Sequence, residues 1–119
     1  MNGDFTKSLC TSINIDWICT PWDKKSLDVL ESFGCSAYKI ASADLTSIPF
    51  LRKIASKNKP VILSTGASTL SEIEIAISTL NQSGCQDIAL LHCILNYPTP
   101  YEMANLRMLS GLKKVFPNH

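Results

Sequence analysis

The chain lacks any apolar run close to the roughly 18 residues that cross a bilayer, so no membrane span is predicted. Met1 to Lys7 contain no apolar signal-peptide core, and a cytoplasmic protein is expected. Charge of one sign is also missing. Eleven basic residues face ten acidic ones, for a net charge of +1. That balance offers nothing to nucleic acid or to an acidic membrane surface. No Cys-x-x-Cys occurs. The five cysteines (Cys10, Cys19, Cys35, Cys85 and Cys93) are odd in number and widely spaced. A disulfide framework or zinc site is therefore not predicted, and buried reduced thiols are. No His/Glu cluster has metal-ligand spacing. No Walker, Gly-x-Gly-x-x-Gly or Gly-x-Ser-x-Gly motif is present. Disorder is excluded by a 45% hydrophobic content.

What is present is a repeated format: an apolar run, an abrupt polar end, then a helix. Asp16–Cys19 reads as a first short strand, ending at Thr20-Pro21-Trp22-Asp23. Asp23 is a good N-cap for a helix to about Phe33, with Leu27, Leu30 and Phe33 on one face, and Gly34 suits its C′ position. Ala37–Ala41 reads as the second strand. Its alternation sends Tyr38 and Ile40 to one face, and Ala37, Lys39 and Ala41 to the other. A helix from Ile48 or Pro49 to Lys57 follows, with proline in its first turn and lysines near its end. Val61–Leu63 is the third strand. Ser71 and Glu74 predict a capping box for a helix ending before Gly84. Ile88–Leu91 is the fourth strand, followed by a proline-shaped loop and a helix over Leu106–Val115. Phe5, Leu9 and Ile13 also recur at helical spacing.

The polar ends at Thr20, Ser42, Ser64 and His92 are separated by 22, 22 and 28 residues, one βα unit per step. Alternating strand and helix predicts a parallel sheet with right-handed crossovers, and ligands at its carboxyl edge. All four ends are polar, which favours about half of an eight-stranded (β/α)8 barrel over a small open sheet. The opening stretch reads as the tail of a unit that starts upstream, so residues 1–119 are expected to be a partial barrel within a longer chain. The open edges of such a piece are expected to promote pairing or aggregation.

Lys39 in an apolar strand is costly without an anion to hold. With Ser42 and Ser64 it forms a candidate phosphate or carboxylate site. A rim-seeking lysine and a Schiff-base lysine are the alternatives. Ser64-Thr65-Gly66 offers backbone amides before a helix, or is simply a turn. Thr20 is a ligand hydroxyl or a turn residue, and Trp22 stacks on a ligand or covers the rim. His92 is a general base or ligand, or a hydrogen-bonded structural residue. Asn96 and Tyr97, in the proline-shaped loop, suit a hydroxyl-rich ligand or serve packing.

Four segments in series resemble the sialic acid synthase (N-acetylneuraminate synthase) family. They are Thr20-Pro21-Trp22-Asp23, Tyr38 to Thr46, Pro60 to Gly66, and Leu91-His92-Cys93 leading into Asn96-Tyr97-Pro98-Thr99-Pro100, with Asn105-Leu106 after them. The resemblance covers nearly the whole chain. It implies a TIM-barrel transferase that condenses phosphoenolpyruvate with N-acetylmannosamine or a related N-acetylated sugar, releasing phosphate. By match, Thr20 would hold the phosphoenolpyruvate carboxylate, Lys39, Ser42 and Ser64 its phosphate, and Tyr97 would lie on the sugar side. Mn²⁺ or Mg²⁺ would polarise the sugar aldehyde, from ligands outside this chain, in a parent that is a homodimer. Leu95 stands where relatives carry Ser or Asn, which removes one polar phosphate contact unless Asn96 replaces it. Trp22 stands where Phe is usual. The 119 residues alone are expected to be inactive. A legionaminate- or pseudaminate-type synthase is an alternative; pseudaminate-type relatives tend to have lysine in place of His92. A complete small α/β binding module without catalysis is another.

Overall fold

The computed structural model describes residues 3–119. Its elements are α1 (Gly3–Ser12), α2 (Lys24–Ser32), β1 (Tyr38–Ile40), α3 (Ile48–Ala55), β2 (Val61–Ser64), α4 (Leu70–Gln82), β3 (Ile88–Leu91) and α5 (Arg107–Val115). Single 3₁₀ turns at Ser42–Asp44 and Tyr101–Met103 follow β1 and precede α5. The three strands are parallel in the order β1-β2-β3. Tyr38 is paired with Val61 and Val61 with Ile88, so the helices cross over as the βα pattern requires.

The expected first strand, Asp16–Cys19, is reduced to one bridge, Cys19 to Tyr38. Two hydrogen bonds trace its course: Ser36 N–H donates to Trp17 O at 3.5 Å, and Lys39 N–H to Cys19 O at 3.2 Å. The segment has a neighbour on one side only, and Asp16 and Ile18 are exposed. An edge held from one side frays more readily than β2, which is paired on both sides.

Helices α2, α3 and α4 cover one face of the sheet. Tyr38, Ile40, Val61, Leu63 and Ile88 point into that layer, against Leu27, Leu51, Ile54, Ile73 and Leu80. Each such side chain contributes about 1.5–3 kcal/mol by leaving water. The opposite face is open: Lys39 and Ile62 are half-buried, and Ala89 and Leu91 are exposed.

Two units end their helices identically. Gly34 and Gly84 adopt φ of 67° and 104°. Cys35 N–H then reaches Leu30 O at 3.2 Å, and Cys85 N–H reaches Leu80 O at 3.0 Å. This is the Schellman bonding pattern, and it needs a residue free to take positive φ. Both cysteines are buried behind these turns, and all five are free thiols.

The α2 cap is Asp23, whose carboxylate accepts from Ser26 N–H at 2.7 Å. The α4 cap is Thr69 with Glu72, not Ser71 with Glu74. Both pairs fit the capping-box spacing. The earlier start makes Leu70 the first helical residue and places Ile73, Ala76, Ile77 and Leu80 on the core side. Near the amino end of the sheet, buried Tyr38 donates its hydroxyl to Glu31, which Lys59 pairs at 3.2 Å. Burial, then the Glu31 carboxylate, push the Tyr38 phenol well above its ordinary range; the same bond lowers Glu31. The apolar stripe of α1 is uncovered, with Phe5 69% exposed. Among the described residues no helix is long and apolar enough to cross a membrane.

Candidate functional site at the carboxyl edge

Strand alternation and register decide which side chains share the open face. Lys39 is opposite Ile62, and Ser64, two residues on, is opposite Leu91. Residues two apart on a strand face the same way. Lys39 and Ser64 therefore share one face, with Ser64 about 6.6 Å further toward the carboxyl edge. Cys19 is opposite Tyr38, so Thr20 follows at the level of Lys39. Ser42 opens the turn directly after β1.

The polar groups here are under-used by the protein itself. Lys39 is half-buried, and among the described residues no carboxylate pairs with it; the ion pairs join Lys53, Lys57 and Lys59 to Asp28 or Glu31. Ser64 is 2% exposed, yet its Oγ has no hydrogen-bond partner among the described residues. A buried hydroxyl without a partner costs about 1–3 kcal/mol, so the arrangement is stable only if other interactions outweigh that cost. Asp44 Oδ2 is in the same condition. Ser42 differs: its Oγ accepts the Gly66 N–H at 3.0 Å and keeps its own proton to donate. A cation, two hydroxyls and a threonine at one strand edge are groups of the kind that an anion with several oxygens would need.

Asn96 and Tyr97 are placed differently. Tyr97 is 86% exposed. The Asn96 amide turns to Met103 Sδ at 3.9 Å, while Asn96 O accepts from Thr99 Oγ1 at 2.6 Å. Among the described residues no contact links either to Lys39, Ser42 or Ser64. A cleft of about 310 Å³ beside β3 is lined by His92, Tyr97, Thr99 and Leu106. A neighbouring one of about 240 Å³ involves Thr65, Gly66, Asn105 and Leu112. Neither includes Lys39 or Ser64.

His92 takes the structural role: its Nε2 lies 2.9 Å from Ala104 O and pins the loop between β3 and α5. Thr65, part of the stretch read as offering backbone amides or as a simple turn, is 7% exposed and engaged with β3. Its N–H and Oγ1 both donate to Leu91 O, at 3.1 and 3.0 Å. Asp44 was not singled out as a site residue; its polar position two residues after Ser42 was the available signal. Trp22 lies exposed beside the Asp23 cap. Among the described residues no group of three or more His, Cys, Asp or Glu side chains could hold a metal. The donor set here does not fit a divalent cation.

In sequence and fold the chain is similar to known proteins. The chain is 50% identical over 110 residues to an uncharacterized protein of Methanocaldococcus jannaschii, covering 92% of this chain and 33% of that protein. It is 44% identical over 105 residues to N,N'-diacetyllegionaminic acid synthase of Campylobacter jejuni, covering 87% of this chain and 31% of that enzyme. A solved N-acetylneuraminic acid (sialic acid) synthetase from Leptospira borgpetersenii superposes with a TM-score of 0.89 at 35% identity, over 94% of this chain and 39% of that one. The chain thus spans about a third of the length of its relatives. The parallel βα order, the strand-end motifs and a family match over residues 4–119 together establish that the chain belongs to the NeuB family.

Proposed function

We propose that this stretch supplies the phosphoenolpyruvate side of a longer sugar-acid synthase, in which its strands form about half of a (β/α)8 barrel. The observation that carries the reading is that Lys39 and the buried Ser64 hydroxyl share one face, the first without a carboxylate and the second without a hydrogen-bond partner among the described residues. An anion with several oxygens satisfies both. In this reading Thr20 holds the carboxylate of phosphoenolpyruvate, and Lys39, Ser42 and Ser64 hold its phosphate.

The reaction joins the enol carbon to the carbonyl carbon of an N-acetylated sugar, water adds to the phosphate-bearing carbon, and phosphate leaves. Negative charge gathers on the departing phosphate. Lys39 and the two serine hydroxyls stabilise that charge from fixed positions, so the stabilisation needs no reorganisation during the step. Tyr97, exposed on the loop after β3, contributes on the sugar side, and Asn96 stands beside it. The divalent metal that the family resemblance implies finds no ligand set among the described residues. The resemblance also implies a homodimer.

The sugar is N-acetylmannosamine or a close relative. The relative at 44% identity favours a diacetylated, legionaminate-type substrate as the second reading. The test is phosphate release by the longer protein, given phosphoenolpyruvate with each sugar in turn. Release that depends on both substrates is expected, and none from the 119-residue chain alone. Phosphate release without any sugar would overturn the synthase reading; release by the isolated chain would overturn the division of the site.

A further inference from the structure

We infer that Gly66 is a positioning residue that locks three consecutive strand-end loops together around the anion site. The inference rests on the proposed phosphate site for its consequence, though not for its geometry. Ser42, after β1, accepts the Gly66 N–H at 3.0 Å, across 24 residues of sequence. On its other side Gly66 lies against the backbone of Cys93, after β3. A Cβ at position 66 would stand 2.9 Å from Cys93 O, and 3.0 Å from both Cys93 C and Cys93 Cβ. The carbonyl is backbone and cannot swing aside. Gly66 is not among the residues with positive φ. Glycine is thus required here by space, not by backbone conformation.

The consequence concerns Ser42. A hydroxyl accepts through its lone pairs and donates one proton. The Gly66 amide occupies the accepting side and orients the oxygen, so the proton is left to donate to an anion. Moving Gly66 away from Cys93 stretches this bond, and Ser42 loses both its orientation and its tie to β2. The Thr65 bonds to Leu91 O, one residue earlier, anchor the same loop to β3 from the strand side. Gly66 is therefore the point where the three loops meet.

The test uses the longer protein, with four single variants and one double variant. Affinity for phosphoenolpyruvate is read by calorimetry, and exchange of the Gly66 amide by NMR. Gly66→Ala and Ser42→Ala are each expected to weaken binding by about tenfold or more, the scale of one lost hydrogen bond to a charged group. The double variant should be no weaker than Ser42→Ala by more than about twofold, since both changes break one latch. Exchange of the Gly66 amide should rise in Ser42→Ala, while in Ser42→Thr, which keeps the acceptor, both exchange and affinity should stay near the parent. Additive losses, or an unchanged exchange rate in Ser42→Ala, would overturn the latch. Lys39→Ala separates the two ideas. If it leaves affinity unchanged, the phosphate site is wrong while the exchange result still decides the latch. If it weakens binding and Gly66→Ala does not, the latch is wrong and the site stands.

Discussion

Replacing Lys39 with methionine retains most of the side-chain stem and removes the charge. Because no carboxylate among the described residues pairs with Lys39, folding loses no ion pair. Binding loses a charge-assisted contact. Such a contact is worth about 1.5–3 kcal/mol, or roughly 10- to 150-fold in affinity. Lys39 is half-buried rather than enclosed. The effective dielectric is then nearer about 20 than 4, and the lower part of the range, about 10- to 50-fold, applies. The assay is the phosphoenolpyruvate KM of the longer protein, checked by calorimetric titration and paired with thermal melting. KM for phosphoenolpyruvate should rise by that factor, KM for the sugar should hold, and the melting temperature should stay level or increase. A change below about threefold would remove Lys39 from the phosphate site. A large fall in melting temperature would show that the lysine serves the fold instead.

Two further outcomes follow from the packing. Thr69→Ala should cost about 1 kcal/mol through loss of the α4 cap, whereas Ser71→Ala, on the exposed first turn, should cost less than about 0.5 kcal/mol. Denaturant titration of the two variants checks this, and equal costs would refute the assigned helix start. The Tyr38–Glu31 bond predicts acid sensitivity. Glu31 is held below its ordinary carboxylate value, so its stabilising contribution is present above that value and is lost as pH falls through the folded one. Melting across about pH 6 to 3 should therefore show a smaller loss in Tyr38→Phe than in the parent chain, and parallel curves would count against the bond.

Much of the fold was legible because burial writes itself into local patterns. Val61–Leu63 and Ile88–Leu91 were readable as apolar runs bounded by turn signals, and β2 extends only one residue further, to Ser64. Gly34 and Gly84 marked helix ends because a positive φ is cheap for glycine alone. Two features misled for the same reason: local chemistry fitted more than one answer. Ser71 and Glu74 have the same spacing as Thr69 and Glu72, and only packing of Ile73 and Ala76 against the sheet separates them. Asp16–Cys19 has a strand's composition, but pairing depends on neighbours that lie elsewhere in the chain. Asn96 and Tyr97 were read as suiting a hydroxyl-rich ligand or as serving packing, and among the described residues no contact links them to Lys39, as a place on the sugar side would allow.

By itself the sequence determined the order of elements, the helix-facing and open faces of β1, and the presence of a lysine on the open one. Those properties follow from alternation and from the cost of burying charge, which act over a few residues. Only the tertiary structure decided that Ser42 holds Gly66, that Ser64 is buried without a partner among the described residues, and that His92 anchors Ala104. Each of these depends on which groups meet across at least one turn of the chain, and partner choice at that range is set by packing rather than by local pattern.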